Sequence, residues 1–89
     1  MSYHLYVLQR SSTGRFYVGH TRDLANRLQE HRDGRVSSTR GRGPWELFYT
    51  EEFSSRSEAS RRERQIKQLK SHAHIEELAR ASRSDREGR

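Results

Sequence analysis

Apolar and aromatic side chains near the start of the chain fall into two short runs, residues 3–8 and 16–18. Between them lies Ser11-Ser12-Thr13-Gly14. Aromatic and branched residues favour extended backbone and the cluster between them is turn chemistry, so the pattern predicts a β-hairpin. The period then changes. Leu24, Arg27, Leu28 and His31 stand at i, i+3, i+4 and i+7, one stripe of a helix. Asp23 suits its N-cap and Asp33-Gly34 its end, which places the helix over residues 24–32. Residues 35–43 are polar, basic and glycine-containing, the composition of a mobile surface loop. Pro44 closes that loop, and residues 45–49 alternate as a third strand. Ser55-Arg56-Ser57-Glu58 has capping-box spacing and opens a helix reaching about Leu69, with Ala59, Glu63 and Ile66 on its inward stripe. Ser71 suits the cap of a short last helix carrying Ile75, Leu78 and Ala79.

The order β-β-α-β-α-α predicts an α/β (α+β) fold, a small three-stranded antiparallel sheet flanked by helices. One domain is expected over residues 1–81. The charged segment 82–89 is expected to be a frayed, disordered tail.

Both inward helical stripes carry ionisable groups: Arg27 and His31 on the first, Glu63 on the second. Burying an unpaired ion costs several kcal/mol or neutralises the group. Two arrangements are open. Arg27 and Glu63 form a buried ion pair between helices, or the groups line a cleft that receives something else.

Composition narrows what that is. A chain of 89 residues with 29% hydrophobic residues has a thin core. No cysteine is present, which excludes disulfides, thiolate zinc sites and a cysteine nucleophile. No apolar run is long enough for a signal peptide or membrane span, so a cytoplasmic location is the expectation. The net charge of +6 points to a polyanionic partner. Of the 18 basic residues only Lys67 and Lys70 are lysines. Arginine grips phosphate through a rigid two-pronged donor set. No helix pairs its basic face with a strong apolar one, which argues against a membrane surface.

Read together, Tyr6, Tyr17-Val18-Gly19, Arg27, His31 and Glu63 resemble the GIY-YIG nucleases. His4-Leu5-Tyr6 keeps only the tyrosine of the first half of the name motif, and Tyr17-Val18-Gly19 is a conservative variant of the second. Arg27 stands eight residues past Gly19, where the family has its arginine, and His31 one turn later, where many members have histidine or tyrosine. Ser55-Arg56-Ser57-Glu58-Ala59 matches the stretch before the family's metal-binding glutamate, which makes Glu63 that residue. Thr39-Arg40-Gly41-Arg42-Gly43-Pro44 is similar to the small stand-alone bacterial members.

The resemblance implies metal-dependent hydrolysis of a DNA phosphodiester. Glu63 would hold one Mg²⁺ or Mn²⁺, and Arg27 would contact the phosphate. Tyr6, Tyr17 or His31 would deprotonate or position the attacking water. Gly19, His20, Arg35, Arg40 and Arg42 are the candidate substrate contacts. The DNA form stays open among single-stranded, duplex and branched substrates, RNA is not excluded, and the plausible biology is DNA repair or processing. The Arg61-Arg62-Arg64 run reads as a solvated face. Trp45, Phe48 and Phe53 are either core residues or stacking platforms for unpaired bases. Two other functions compete: a non-catalytic nucleic-acid-binding module, and a nuclease subunit dependent on a protein partner.

Overall fold

The computed structural model describes residues 2–36, 39–41, 44–69 and 72–87, with the side chains of 73–80 in the last segment. Strands β1 (Tyr3–Arg10), β2 (Phe16–Thr21) and β3 (Trp45–Phe53) form one antiparallel sheet in the order β2-β1-β3. Helices α1 (Leu24–Arg32), α2 (Arg56–Leu69) and α3 (His72–Glu87) complete the predicted β-β-α-β-α-α order.

The central strand explains its own sequence. Leu5, Tyr6, Val7 and Leu8 are all buried, because β1 is covered on both faces. A strand of that kind reads as a continuous apolar run rather than an alternation. Leu5 and Val7 point one way and join Val18, Ile66 and Ile75 in a core beneath α2 and α3. Tyr6 points the other way, toward α1, since successive side chains take opposite faces. The inward stripes of α1 and α2 therefore sit on opposite faces of the sheet.

Local chemistry fixes the helix ends as predicted. Asp23 caps α1 by accepting from the Asn26 backbone N–H at 3.1 Å, an interaction typically worth about 1 kcal/mol. Gly34 takes φ +72° just past the helix, a conformation a Cβ disfavours. At α2, the Glu58 N–H donates to Ser55 Oγ at 3.3 Å, and that hydroxyl donates to the Glu58 carboxylate at 3.0 Å. Ala59 and Ile66 are fully buried on the expected stripe.

Four expectations need correcting. The third strand continues to Phe53, and a bulge between the Val7–Tyr49 and Leu8–Leu47 pairs breaks its alternation. The extra residue, Phe48, joins Tyr49 against the core, while Leu47 is exposed. The segment after α1 is not merely a surface loop, because Val36 and Thr39 are buried. The arginine run is not uniform either. Arg61 and Arg64 are exposed, whereas Arg62 turns inward to Glu51. Finally, α3 is not short: it passes Ala81 and reaches Glu87. Ser71, its expected cap, lies outside the described residues.

Candidate active site

The hairpin register sets Tyr6 opposite Gly19 and Tyr17 opposite Leu8. The tyrosines are therefore diagonal neighbours with ring centroids 6.4 Å apart, not a directly opposed pair. Gly19 serves Tyr6 itself. A Cβ at position 19 would lie 2.7 Å from the tyrosine oxygen and 2.8 Å from the carbon bearing it.

Tyr6 is 1% exposed, and its hydroxyl meets two side chains of α1. Arg27 Nε donates to it at 3.3 Å, and His31 Nε2 lies 3.0 Å away. On the other side of the imidazole, Nδ1 is 2.8 Å from Thr39 Oγ1, which is itself 3.3 Å from the Val36 carbonyl. One proton arrangement satisfies every group. Thr39 donates to Val36, His31 Nδ1–H to Thr39, Tyr6 O–H to His31 Nε2, and Arg27 to Tyr6. The reverse tautomer leaves the buried Tyr6 proton without an acceptor, at a cost of about 1–3 kcal/mol. We assign the Nδ1–H form on that ground.

Charge supports the assignment. Burial, reinforced by the Arg27 cation, holds His31 below its ordinary 6.5, so the ring is neutral at pH 7. Burial pushes the Tyr6 hydroxyl up, against the hydrogen bond from Arg27. The pair is thus a protonated tyrosine facing a bare histidine nitrogen. Tyr17 is half-buried with its ring 5.1 Å from His31, and its hydroxyl has no hydrogen bond to the described residues.

On α2, Glu63 is 19% exposed and both carboxylate oxygens are engaged. His20 Nδ1–H donates to Oε1 at 2.7 Å, and Lys67 Nζ donates to Oε2 at 2.8 Å. Burial works to raise this carboxyl, but the hydrogen bonds from Lys67 and His20 outweigh it and hold it below its ordinary value. Glu63 is therefore anionic at neutral pH. No group of three His, Asp or Glu side chains suited to a metal occurs among the described residues. A single hard carboxylate fits Mg²⁺, which commonly keeps most of its water and takes one or two protein carboxylates. Lys67, the partner of Oε2, is 55% exposed.

Arg27 and Glu63 make no ion pair with each other; Arg27 reaches Glu30 at 3.6 Å. Instead, a cleft of about 400 Å³ runs around the end of β2 from α1 to the first turn of α2. Tyr3, His20, Thr21, Arg22, Arg27, Glu30 and Arg56 line it. His20 connects the two faces of the sheet, since it lines the cleft and holds Glu63. Of the two arrangements open from sequence, the ion pair is absent and the cleft is present, but of the three groups only Arg27 lines it: His31 is buried, and Glu63 is joined to the lining through His20.

The loop arginines expected at the substrate are not among its lining residues. Arg35 is exposed, Arg40 donates to the Gly34 carbonyl at 3.0 Å, and Arg42 lies outside the described residues. Arg22 and Arg56 take the place sequence reasoning gave to them. Both are exposed and make no hydrogen bond or ion pair with the described residues. Their positions at the end of β2 and the start of α2 were visible, but not that those ends meet. Thr39 was also missed; buried Val36, an apolar residue in a polar segment, was the available sign that this loop packs. The aromatic residues considered for stacking are used internally. Phe48 and Phe53 pack against the core, and the Trp45 indole donates to the Thr39 carbonyl at 3.2 Å.

A β2-β1-β3 sheet with tyrosines on adjacent strands, an arginine on the first helix and a glutamate on the second is the arrangement expected of the GIY-YIG class. The chain belongs to that family: the profile of the GIY-YIG catalytic domain matches residues 2–76. Within it, the chain is similar to proteins designated UPF0213. It is 48% identical over 68 residues to the UPF0213 protein of Halobacterium salinarum, covering 75% of this chain and 87% of the relative. The corresponding values for the Oceanobacillus iheyensis protein are 43% over 68 residues, 75% and 78%. The solution NMR structure of the UPF0213 protein from Bacillus halodurans matches with a TM-score of 0.58 and 36% identity, covering 91% of this chain and 85% of that one.

Proposed function

We propose that this chain is a metal-dependent DNA endonuclease of low sequence specificity. The observation that carries the reading is the placement of Tyr6 between Arg27 and a neutral His31, with Arg27 lining a cleft shared by Arg22, Arg56 and the His20 that holds Glu63. Arg27, Arg22 and Arg56 bring three guanidinium groups to one concavity, a donor set suited to phosphate.

Each residue then has a chemical task. Arg27 binds a non-bridging oxygen of the scissile phosphate and strengthens its contact as negative charge grows there. Tyr17, whose hydroxyl is unpaired among the described residues, orients the attacking water. The water's proton passes to Tyr6 Oη as the Tyr6 proton passes to His31 Nε2. Oxygen attacks phosphorus, the P–O bond to the leaving strand breaks, and His31 ends as imidazolium. Concerted transfer avoids a free tyrosinate, which the raised Tyr6 hydroxyl disfavours. Glu63 would hold a divalent ion, which when bound neutralises the phosphate and stabilises the leaving oxygen. His20 orients the carboxylate. With phosphate contacts dominating, the substrate is distinguished by the form of the DNA more than by its sequence.

The test is cleavage of labelled single-stranded, duplex and flap DNA, with an RNA control, in Mg²⁺ or Mn²⁺ beside Glu63→Ala. Cleavage lost in that variant supports the reading, with repair or processing as its setting. Salt-sensitive binding without cleavage would make the protein a binding module. Cleavage appearing only with added cellular protein would make it a partner-dependent subunit.

A further inference from the structure

We propose that Thr39 is a positioning residue for the proton transfer: its hydroxyl holds His31 with Nδ1 protonated, leaving Nε2 bare and directed at Tyr6. The inference rests on the role given above to Tyr6 and His31, and extends it to the loop after α1.

A neutral histidine accepts a proton only at its bare nitrogen, and the partner of the other nitrogen decides which one that is. Without a constraint, an imidazole side chain in water favours the Nε2–H form. That form would point a proton at Tyr6 and block the transfer. The buried Tyr6 proton already calls for a bare Nε2, and Thr39 secures the less favoured tautomer from the other nitrogen, in contact with Nδ1 at 2.8 Å.

Thr39 is built to hold it. The residue is 2% exposed, so water does not compete at its hydroxyl. Its backbone N–H and its hydroxyl both reach the Val36 carbonyl, at 3.1 and 3.3 Å. The Trp45 indole pins its own carbonyl from β3. A β-branched side chain is also stiff at χ1. With its proton committed to Val36, Oγ1 presents a lone pair to His31. After the transfer the same bond persists, because Nδ1–H remains in place on the imidazolium. The hydroxyl thus serves both the acceptor and the product form of the ring.

Three variants test this. Thr39→Val keeps the shape and removes the hydroxyl, Thr39→Ala removes it without a branched side chain, and Thr39→Ser restores it. Long-range ¹H–¹⁵N correlation at neutral pH reads the His31 tautomer without metal or substrate. Wild type and Thr39→Ser are expected to show Nδ1–H, while Thr39→Val and Thr39→Ala shift toward Nε2–H. In cleavage, kcat is expected to fall tenfold or more in the Val and Ala variants, with little change in KM and recovery in Thr39→Ser. Retention of Nδ1–H in either hydroxyl-free variant that keeps the native sheet spectrum overturns the proposal. So does a Thr39→Ser protein that behaves like Thr39→Val. Absence of cleavage by wild type would refute the nuclease reading instead, and the tautomer measurement would still decide whether Thr39 sets His31.

Discussion

Gly19 and Tyr6 face each other across β2 and β1 so closely that a Cβ on Gly19 would sit 2.7 Å from the tyrosine oxygen. The ring cannot yield cheaply, because His31 and Arg27 hold its hydroxyl. Gly19→Ala is therefore expected to cost about 1–3 kcal/mol of stability by overpacking. Cleavage should fall further than folding, since the displaced ring leaves His31. Denaturant titration alongside kinetics checks both effects; an unchanged Tyr6 ring environment by NMR would contradict the account.

Glu63 links stability to pH with a definite sign. Its carboxyl is held below the ordinary value of 4.5, so its interactions stabilise the fold above that pH and are lost as pH falls through the lowered value. Glu63→Gln should accordingly be less stable than wild type at pH 7, with the gap closing in acid. Thermal denaturation of the two proteins between pH 3 and 7 measures it. A gap that widens in acid would reverse the assignment.

His31 acts in the same direction at its own range. Its pKa lies below 6.5 in the fold, so acidification through 6.5 favours the unfolded chain, and stability falls until the lowered value is passed. The same shift keeps the ring a proton acceptor at mildly acid pH. The His31-dependent acid limb of kcat/KM is therefore expected below 6.5. A histidine limb above that value, traced to His31 by substitution, would show that the ring is not desolvated in the working enzyme.

Arg22 and Arg56 should carry phosphate contacts. Replacing either by alanine is expected to weaken DNA binding and to lower the slope of log K against log salt by about 1. Measurement in the Glu63→Ala background separates binding from cleavage. Arg64→Ala, an exposed position outside the cleft lining, provides the comparison. Equal effects at all three sites would point to diffuse charge rather than a defined path for the strand.

The Arg62–Glu51 pair should be structural. Arg62 reaches both carboxylate oxygens, at 2.9 and 3.1 Å, and Tyr49 donates to the same group. Burial, with the Glu51 carboxylate close by, pushes the Tyr49 hydroxyl up to about 12. A double-mutant cycle on Arg62 and Glu51 is expected to give a coupling of about 0.5–1 kcal/mol, discounted for partial exposure. Spectroscopic titration should find Tyr49 ionising only near the top of the alkaline range.

The amino-acid sequence by itself determined the elements and marked the candidate site residues. Periodicity placed α1, Asp23 and Ser55 marked helix starts, and the aromatic and branched run 3–8 read as a strand. Those signals are local, so they survive without tertiary information. Arg27, His31 and Glu63 also stood out locally, as ionisable groups on inward stripes. What they touch was decided only by the tertiary structure. The stripes lie on opposite faces of the sheet, so Arg27 and Glu63 form no ion pair; Arg27 lines the cleft at the end of β2, and Glu63 is joined to that lining by His20. Arg22 and Arg56 enter the cleft because the end of β2 and the start of α2, distant in sequence, converge there. Thr39 reaches His31 because its loop folds back under Trp45, a packing event no local pattern encodes. Spacing along a chain tells which side chains share a face; only packing tells which face meets which, and therefore where each proton can go.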